Sequence, residues 1–462
     1  MQKEHSKGNL LKGAFIIAFG GFLAKLIGGL YRIPLTNFIG AEGIGLYQLV
    51  YPVYCILLTV SGAGIPSSIA KLTAERIAKG ESERPLIKKA FKLFIFIGFI
   101  STLFMCILAP TLAKWQSSEK VLLGYYTLAP SVLLVSALSV FRGVFQGKND
   151  MLPTALSEIV EQVVKVAFGL LFAYIFRSTP EKAVVYLLLA VTISEAFALF
   201  LMWAIYRRSG GAKEKKERGR VKTKHILKLS IPVTLSSILL PFSSLIDSIL
   251  VVRILNGYAQ NGVKLYGLFS GGAVTLINLP VSICYGIAAA SIPAVASALT
   301  KSKLPDTLPE ETGEDLRKTK RKKPIKKSVK KSVAFSLFIT LLISIPSSFA
   351  VYFFAEPIIK IVFRNLSLDE LSILTNLTKL LSVSATTLSC AQTLSACLTA
   401  QGKPKYGVIS MLLAMLTKTG LYLFFMQSAK NGIYGLAYAT NIGYMIAFLL
   451  NLLYNFCART KA

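Results

Sequence analysis

Hydrophobic and polar positions alternate along this chain in long blocks, not in short helical or strand periods. Twelve apolar stretches lie near 13–31, 46–64, 88–110, 120–142, 154–176, 184–205, 226–251, 270–297, 333–355, 376–398, 406–426 and 433–456. Most exceed the ~18–20 residues that a helix needs to cross the hydrocarbon core of a bilayer. The pattern predicts an all-α integral membrane protein with twelve transmembrane helices. The polar blocks differ in charge by turns. The N-terminal tail, the loops after the second, fourth, sixth, eighth and tenth stretches, and the C-terminal tail carry 38 Lys and Arg; the other six loops carry 11. Positive loops stay on the cytoplasmic side. The prediction is therefore a multi-pass protein of the plasma membrane with both termini cytoplasmic and an even number of spans.

The basic segment 207–228 divides the stretches into two sets of six. Pro52-Val53 followed by Ile65-Pro66 in the second stretch is matched by Pro280-Val281 followed by Ile292-Pro293 in the eighth. Gln146-Gly147-Lys148 at the end of the fourth is matched by Gln401-Gly402-Lys403 at the end of the tenth, and Lys165 then corresponds to Lys418 once two residues are gapped. An even number of helices per half makes the halves parallel repeats, an arrangement that places a substrate between them near the midplane. The expected architecture is two six-helix bundles related by an internal repeat around a central cavity. Its domains are an N-terminal bundle at 1–206, a basic cytoplasmic linker at 207–228, and a C-terminal bundle at 229–462 with a basic cytoplasmic loop at 301–331.

Composition adds two exclusions. The chain is 53% hydrophobic with a net charge of +30, and about half of that charge sits in 207–228 and 301–331. No aromatic residues interleave with the basic run 317–331, as a nucleic-acid stacking platform requires. Attraction to anionic lipid headgroups is the expectation for these loops, and nucleic acid is not expected as a partner. The six Cys lie mostly in apolar segments without CxxC spacing and read as small core residues. No P-loop, HExxH or Cys/His cluster is present, so neither a cofactor nor a metal is expected.

Charges inside apolar stretches need a reason, because each costs about 2.5–3.5 kcal/mol at the bilayer centre. Lys25 and Arg32 are two turns apart on one face of the first helix, with Gly28 and Gly29 between them. They form a cationic stripe suited to an anionic group, or snorkel to an interface. Arg253 near the end of the seventh stretch is a further candidate substrate-binding cation. Asp247, deeper in that stretch, is a candidate for charge balance or ion coupling, as is Glu158 in the fifth. Glu161 and Lys165 have i,i+4 spacing and read as a structural pair or as cavity residues. Glu195 and Lys418 stand isolated, and Arg142 reads as interfacial. Gly28, Gly29, Pro52 and Pro280 are candidate hinges, since helix-breaking residues in transporters mark moving segments.

The run Gly28-Gly-Leu-Tyr-Arg-Ile-Pro34, then Phe38-Ile-Gly-Ala-Glu-Gly-Ile-Gly-Leu-Tyr47 and Gly64-Ile-Pro-Ser-Ser-Ile-Ala-Lys71, resembles the polysaccharide-biosynthesis and stage V sporulation protein B family. That family belongs to the superfamily of multidrug exporters, oligosaccharide flippases and the lipid II flippase. The resemblance implies a flippase for an undecaprenyl-linked saccharide, lipid II among the candidates, working by alternating access without enzymatic chemistry. It implies that Arg32 and Lys25 occupy the places of the cavity cations that meet the carrier pyrophosphate. It also implies a role in cell-wall or spore-wall synthesis. Lipid II flippases have fourteen helices, where twelve are predicted here. A proton or Na⁺ is the candidate coupling ion, and a monomer is expected. Two alternatives remain open at this point. A multidrug cation antiporter of the same superfamily would want an acidic cavity. A membrane-embedded glycosyltransferase or polymerase would need catalytic acids in a sizeable outer loop, and the longest here, 356–375, is short.

Overall fold

A computed structural model describes residues 2–209, 223–258, 261–284, 325–427 and 432–456, together with 286, 291 and 295. The described residues are helical almost throughout. The helices are α1 (Gln2–Leu58), α2 (Ile65–Ala78), α3 (Arg84–Trp115), α4 (Leu122–Gly147), α5 (Leu152–Ile175), α6 (Pro180–Arg208), α7 (Thr223–Ser237), α8 (Leu239–Asn256) and α9 (Gly262–Tyr266). They continue as α10 (274–284), α11 (Ile325–Phe353), α12 (Ala355–Val362), α13 (Leu368–Ala400), α14 (Pro404–Phe425) and α15 (Gly432–Phe456). Among the described residues, nine helical segments are long and apolar enough to cross a membrane. The protein is a multi-pass, all-α membrane protein. Most of the two basic segments, 210–222 and 301–324, lies outside the described residues.

The largest departure from the sequence pattern is at the first polar block. The segment 32–45 reads as a loop, yet α1 runs through it, broken only at Gly40 (φ 67°, ψ −177°). That backbone conformation suits glycine and few other residues. A one-residue bend therefore does the work of a loop, and the apolar segment Leu26–Ala78 is a single 53-residue stretch. The backbone stays helical at Gly28, Gly29, Pro34 and Pro52. Two π-helical turns interrupt the helices instead, Thr59–Ala63 after Pro52 and Gly267–Ala273 before α10.

The chain divides into two compact units. The first comprises Met1–Leu276, Phe354–Thr378 and Leu423–Leu436. Its centre is α4, whose buried residues include Val132, Val140, Val144 and Phe145. One face of α4 meets α2 through Gly143 and Gly147. A Cβ at Gly143 would lie 2.9 Å from the Pro66 carbonyl oxygen, and one at Gly147 would lie 2.6 Å from that of Ala70. This small-xxx-small pattern lets two membrane helices meet backbone to backbone. Ile65, Ile69, Ala90, Phe94 and Val140 close the core beside it. The far side of α3 shows Phe96, Phe99 and Ile107 outward, as a helix in contact with lipid should. Trp203 under Arg207 and Tyr174 under Arg177, each with the guanidinium 4.8 Å from the ring, place amphipathic anchors at helix ends.

The second unit comprises Ile277–Phe353, Lys379–Tyr422 and Ala437–Ala462. Here side-chain amides fasten α15 to α13. Asn451 donates to the Ala391 carbonyl and Asn455 to the Leu394 carbonyl, both at 3.0 Å. Thr340 and Thr393 join α11 to α13 at 3.0 Å. Cys284, Cys390 and Cys397 are buried as free thiols.

Gly147→Leu should lower the thermal unfolding midpoint of the detergent-solubilised protein by several degrees, because overpacking costs about 1–3 kcal/mol. Gly420→Ala, where an added Cβ meets nothing within 4 Å, should leave the midpoint unchanged or raised.

Candidate functional site

The bend at Gly40 decides what surrounds Arg32. On a straight helix Arg32 and Cys55 would be about 35 Å apart. The reversal brings Arg32 within electrostatic range of Tyr47, Tyr51 and Cys55. Tyr47, Tyr51 and Tyr54 follow i, i+4, i+7 spacing and form a ring-on-ring ladder with centroids 5.2 Å and 5.6 Å apart. The Arg32 guanidinium donates to the Thr275 hydroxyl at 3.0 Å. Lys165 on α5 lies within electrostatic range of Arg32, Cys55, Glu161 and Glu195. None of the ion pairs among the described residues includes Arg32 or Lys165. Two part-buried cations thus share one neighbourhood with Glu161 and Glu195, and among the described residues no carboxylate stands at ion-pairing distance from either.

α5 reaches this neighbourhood because α1 meets it with small residues. A Cβ at Gly20 would lie 2.8 Å from that of Ala155, and one at Gly28 would lie 3.1 Å from Gln162 Oε1. Across the same seam, Tyr31 sits directly over Gly169. At Gly28 the observed consequence of a missing side chain is close approach. The fifth-helix acids are then fixed from α4. Arg142 pairs with Glu161 Oε2 at 3.0 Å, and its Nε donates to Ser157 Oγ at 2.9 Å. Gln162 donates to the other oxygen, Glu161 Oε1, at 3.1 Å. Both oxygens of Glu161 are engaged, and its ion pair is with Arg142 and not with Lys165 one turn away. Arg142 turns into the bundle, with its side chain 14% exposed, where the sequence pattern suggests an interface.

Glu195 on α6 is the residue that sequence reasoning undervalued. It is 3% exposed. Tyr54 donates its hydroxyl to Glu195 Oε1 at 3.2 Å, while Oε2 is buried with no hydrogen-bond partner among the described residues. That oxygen is an exception among buried polar atoms, which nearly always find a hydrogen-bond partner. The signal was present in the sequence as the Tyr47–Tyr51–Tyr54 stripe, which marks one polar face on an apolar helix.

The other candidates spread more widely. Glu158 faces α1 near Gly21 and interacts electrostatically with Arg142. Asp247 is buried on α8 at 8% exposure, while Arg253 is exposed in the last turn of that helix. Pro280 is buried within α10, and Lys418 is buried on α14 in the second unit. The Lys25 side chain lies outside the described residues.

The loops that the charge count places outside gather at one end of the first unit and are tied together. Lys120 bridges Glu42 and Glu181, each at 2.8 Å. Asn37 donates to the Val362 carbonyl and accepts from the Arg364 amide. Lys264 pairs with Glu370 of the 356–375 segment at 2.7 Å. Buried Gln116 donates to the Leu49 carbonyl and to Ser248 Oγ, and it accepts from Tyr125. Beneath these ties, Gly45 and Gly267 bring α1 against the start of the π turn, where a Cβ on Gly267 would lie 2.2 Å from the Ala41 carbonyl oxygen.

With this geometry in place the comparisons are informative. Residues 10–299 match the polysaccharide biosynthesis protein family, which is more than half of the chain. The protein belongs to that family. Residues 325–423 match the MatE family. The chain is similar to stage V sporulation protein B of Bacillus subtilis, 28% identical over 312 residues, covering 65% of this chain and 60% of that protein. It is similar to the lipid II flippase MurJ of Bacillus subtilis, 28% identical over 218 residues, covering 44% of this chain and 40% of that one. The matched regions thus span three fifths or less of these relatives. Among solved structures, an inward-facing multidrug resistance MATE family transporter of the MOP superfamily aligns with a TM-score of 0.74 at 15% identity, covering 94% of this chain and 93% of the other. A MOP superfamily transporter from Pyrococcus furiosus, described by the reverse polarity of its binding pocket, aligns at 0.66 and 15% identity, covering 96% and 94%. At such identities these alignments establish the fold.

Arg142→Ala or Glu161→Ala alone leaves a buried charge without its partner, which costs about 3–5 kcal/mol. The Arg142→Ala/Glu161→Ala double variant should lose clearly less than the sum of the two, as read from thermal midpoints in a double-mutant cycle.

Proposed function

We propose that this protein is a flippase that carries a lipid-linked saccharide from the inner to the outer leaflet by alternating access. The observation that carries the reading is that Arg32, bonded to a neutral hydroxyl, lies within electrostatic range of Lys165, both part-buried, and that among the described residues neither has a carboxylate at ion-pairing distance. Such a site favours an anion, and a carrier-linked sugar presents one as its phosphate or pyrophosphate. Arg32 offers a planar set of donors, and its present acceptor, the neutral Thr275 hydroxyl, exchanges readily for a phosphate oxygen. Membership of the polysaccharide biosynthesis family and the similarity to a lipid II flippase support the substrate class. Lys25, seven residues before Arg32 in the sequence, and Arg253 are further candidate cations for the headgroup.

In this scheme the prenyl tail remains in lipid while the headgroup crosses. Both termini and the basic segments face the cytoplasm. Glu195 is the favoured proton carrier, since its Tyr54-bound carboxyl has an oxygen without a partner among the described residues. Asp247 and Glu158 balance the remaining charge. One elementary charge moving through 100 mV releases about 2.3 kcal/mol, a bias of about fiftyfold. The second reading is cation antiport, supported by the fold shared with a multidrug resistance transporter and by the acids Glu161 and Glu195. The engagement of both Glu161 oxygens by Arg142 and Gln162 favours the anion reading.

The test is headgroup accessibility in proteoliposomes loaded with lipid II or another undecaprenyl-linked sugar. Arg32→Ala and Lys25→Ala should each slow translocation about tenfold or more while the protein elutes as a folded species. Glu195→Gln should keep the protein folded and abolish the response of the rate to an imposed pH gradient. Wild-type translocation by both cation variants overturns the reading. Saturable exchange of a cationic dye for protons, with no movement of lipid-linked sugar, supports antiport instead.

A further inference from the structure

The outer surface of the first unit carries a groove of about 770 Å³ between α3, α4 and the start of α7. Its wall on α3 is made by Lys89, Lys92, Leu93, Ile95, Phe96 and Phe99, and Leu133 of α4 lines the other side. Apart from Ile95 at its edge, the spacing of the α3 residues, i, i+3, i+4, i+7 and i+10, puts them on one helical face. That face is charged for its first turn and apolar for the next two. Its apolar part is open, with Phe96 at 61% and Phe99 at 56% exposure. The floor is shallow because Gly98 brings α3 against α4, where a Cβ would lie 2.5 Å from Ser136 Oγ and 3.2 Å from the Leu133 Cα.

Length and charge select an occupant. From Lys89 to Phe99 the groove follows the helix for about 15 Å, half of the ~30 Å hydrocarbon core. It therefore matches the depth of one leaflet, the one that the charge pattern makes cytoplasmic. Two ammonium groups stand at the end where headgroups lie, and among the described residues no acid lines the groove. We propose that it is a binding site for an anionic glycerophospholipid of that leaflet, with the phosphate between Lys89 and Lys92 and an acyl chain along Leu93, Phe96, Phe99 and Leu133. A polyprenyl chain of carrier length outruns a single leaflet, and a second copy of this chain would have to cover two lysines without an acid from this face. The site lies outside the Arg32–Lys165 neighbourhood and does not depend on its function.

The test places a reporter in the groove and varies the lipid. Phe99→Trp in the full-length protein, reconstituted with dibrominated phosphatidylglycerol or dibrominated phosphatidylcholine, reports occupancy by quenching above the background of Trp115 and Trp203. Phosphatidylglycerol should quench half-maximally at a mole fraction about fivefold or more below phosphatidylcholine, the effect expected of one to two interfacial lysines. Adding Lys89→Gln and Lys92→Gln should abolish that preference. If Phe99→Trp does not fold, Phe96→Trp serves at the next position up the groove. Equal quenching by the two lipids overturns the proposal, as does a preference that survives loss of both lysines. Displacement of phosphatidylglycerol by an undecaprenyl phosphate at equal mole fraction, or shielding that grows with protein concentration, overturns it in favour of a prenyl chain or a second copy.

Discussion

The Arg142–Glu161 ion pair organises the first unit. A charge in a membrane interior costs several kcal/mol unless its whole hydrogen-bonding capacity finds partners. Here α4 and α5 meet that demand together. Arg142 spans to Glu161 and Ser157, and Gln162 takes the remaining carboxylate oxygen. Arg142 also lies within electrostatic range of Glu195 and Glu158, while no ion pair among the described residues takes up Lys165 or Arg32. Lys165, Arg32 and Glu195 share a neighbourhood with Tyr47, Tyr51 and Tyr54.

The positions of those groups depend on glycine at two kinds of place. At Gly40 a backbone turn replaces a loop and folds the second half of α1 back toward Arg32. At Gly20, Gly28 and Gly169 the missing side chain lets α1 and α5 run close enough for Arg32 and Lys165 to interact. The same economy recurs where Gly143 and Gly147 seat α2 on α4. Polar side chains then secure what the glycines permit, as in the Asn37, Lys120, Lys264 and Gln116 ties at one end of the unit. In the second unit asparagines on α15 play the corresponding part by reaching backbone carbonyls of α13.

Much of the fold was legible in the sequence because lipid imposes length and charge rules that act locally. The apolar stretches and the alternating loop charge follow from those rules, and Lys25, Arg32, Asp247 and Glu158 were visible as exceptions to them. Contacts between helices were not legible. Arg142 finds Glu161 from another helix, so i,i+4 spacing pointed to Lys165 instead. Glu195 looked isolated because its partner, Tyr54, is 141 residues away. Gly28 invited a hinge reading, and only the seam with Gln162 shows its close approach. The segment 32–45 read as a loop because a polar gap between apolar stretches gives no sign that one glycine can carry the turn.

The central claim is that Arg32 and Lys165 form a shared anion site. Its most direct measurement is the equilibrium binding of a short-chain, water-soluble prenyl pyrophosphate to the purified protein by calorimetric titration. Both Arg32→Gln and Lys165→Gln should weaken binding about tenfold, and a prenyl alcohol of the same length should not bind detectably. Unchanged affinity in both variants, or equal binding of the alcohol, would contradict the account.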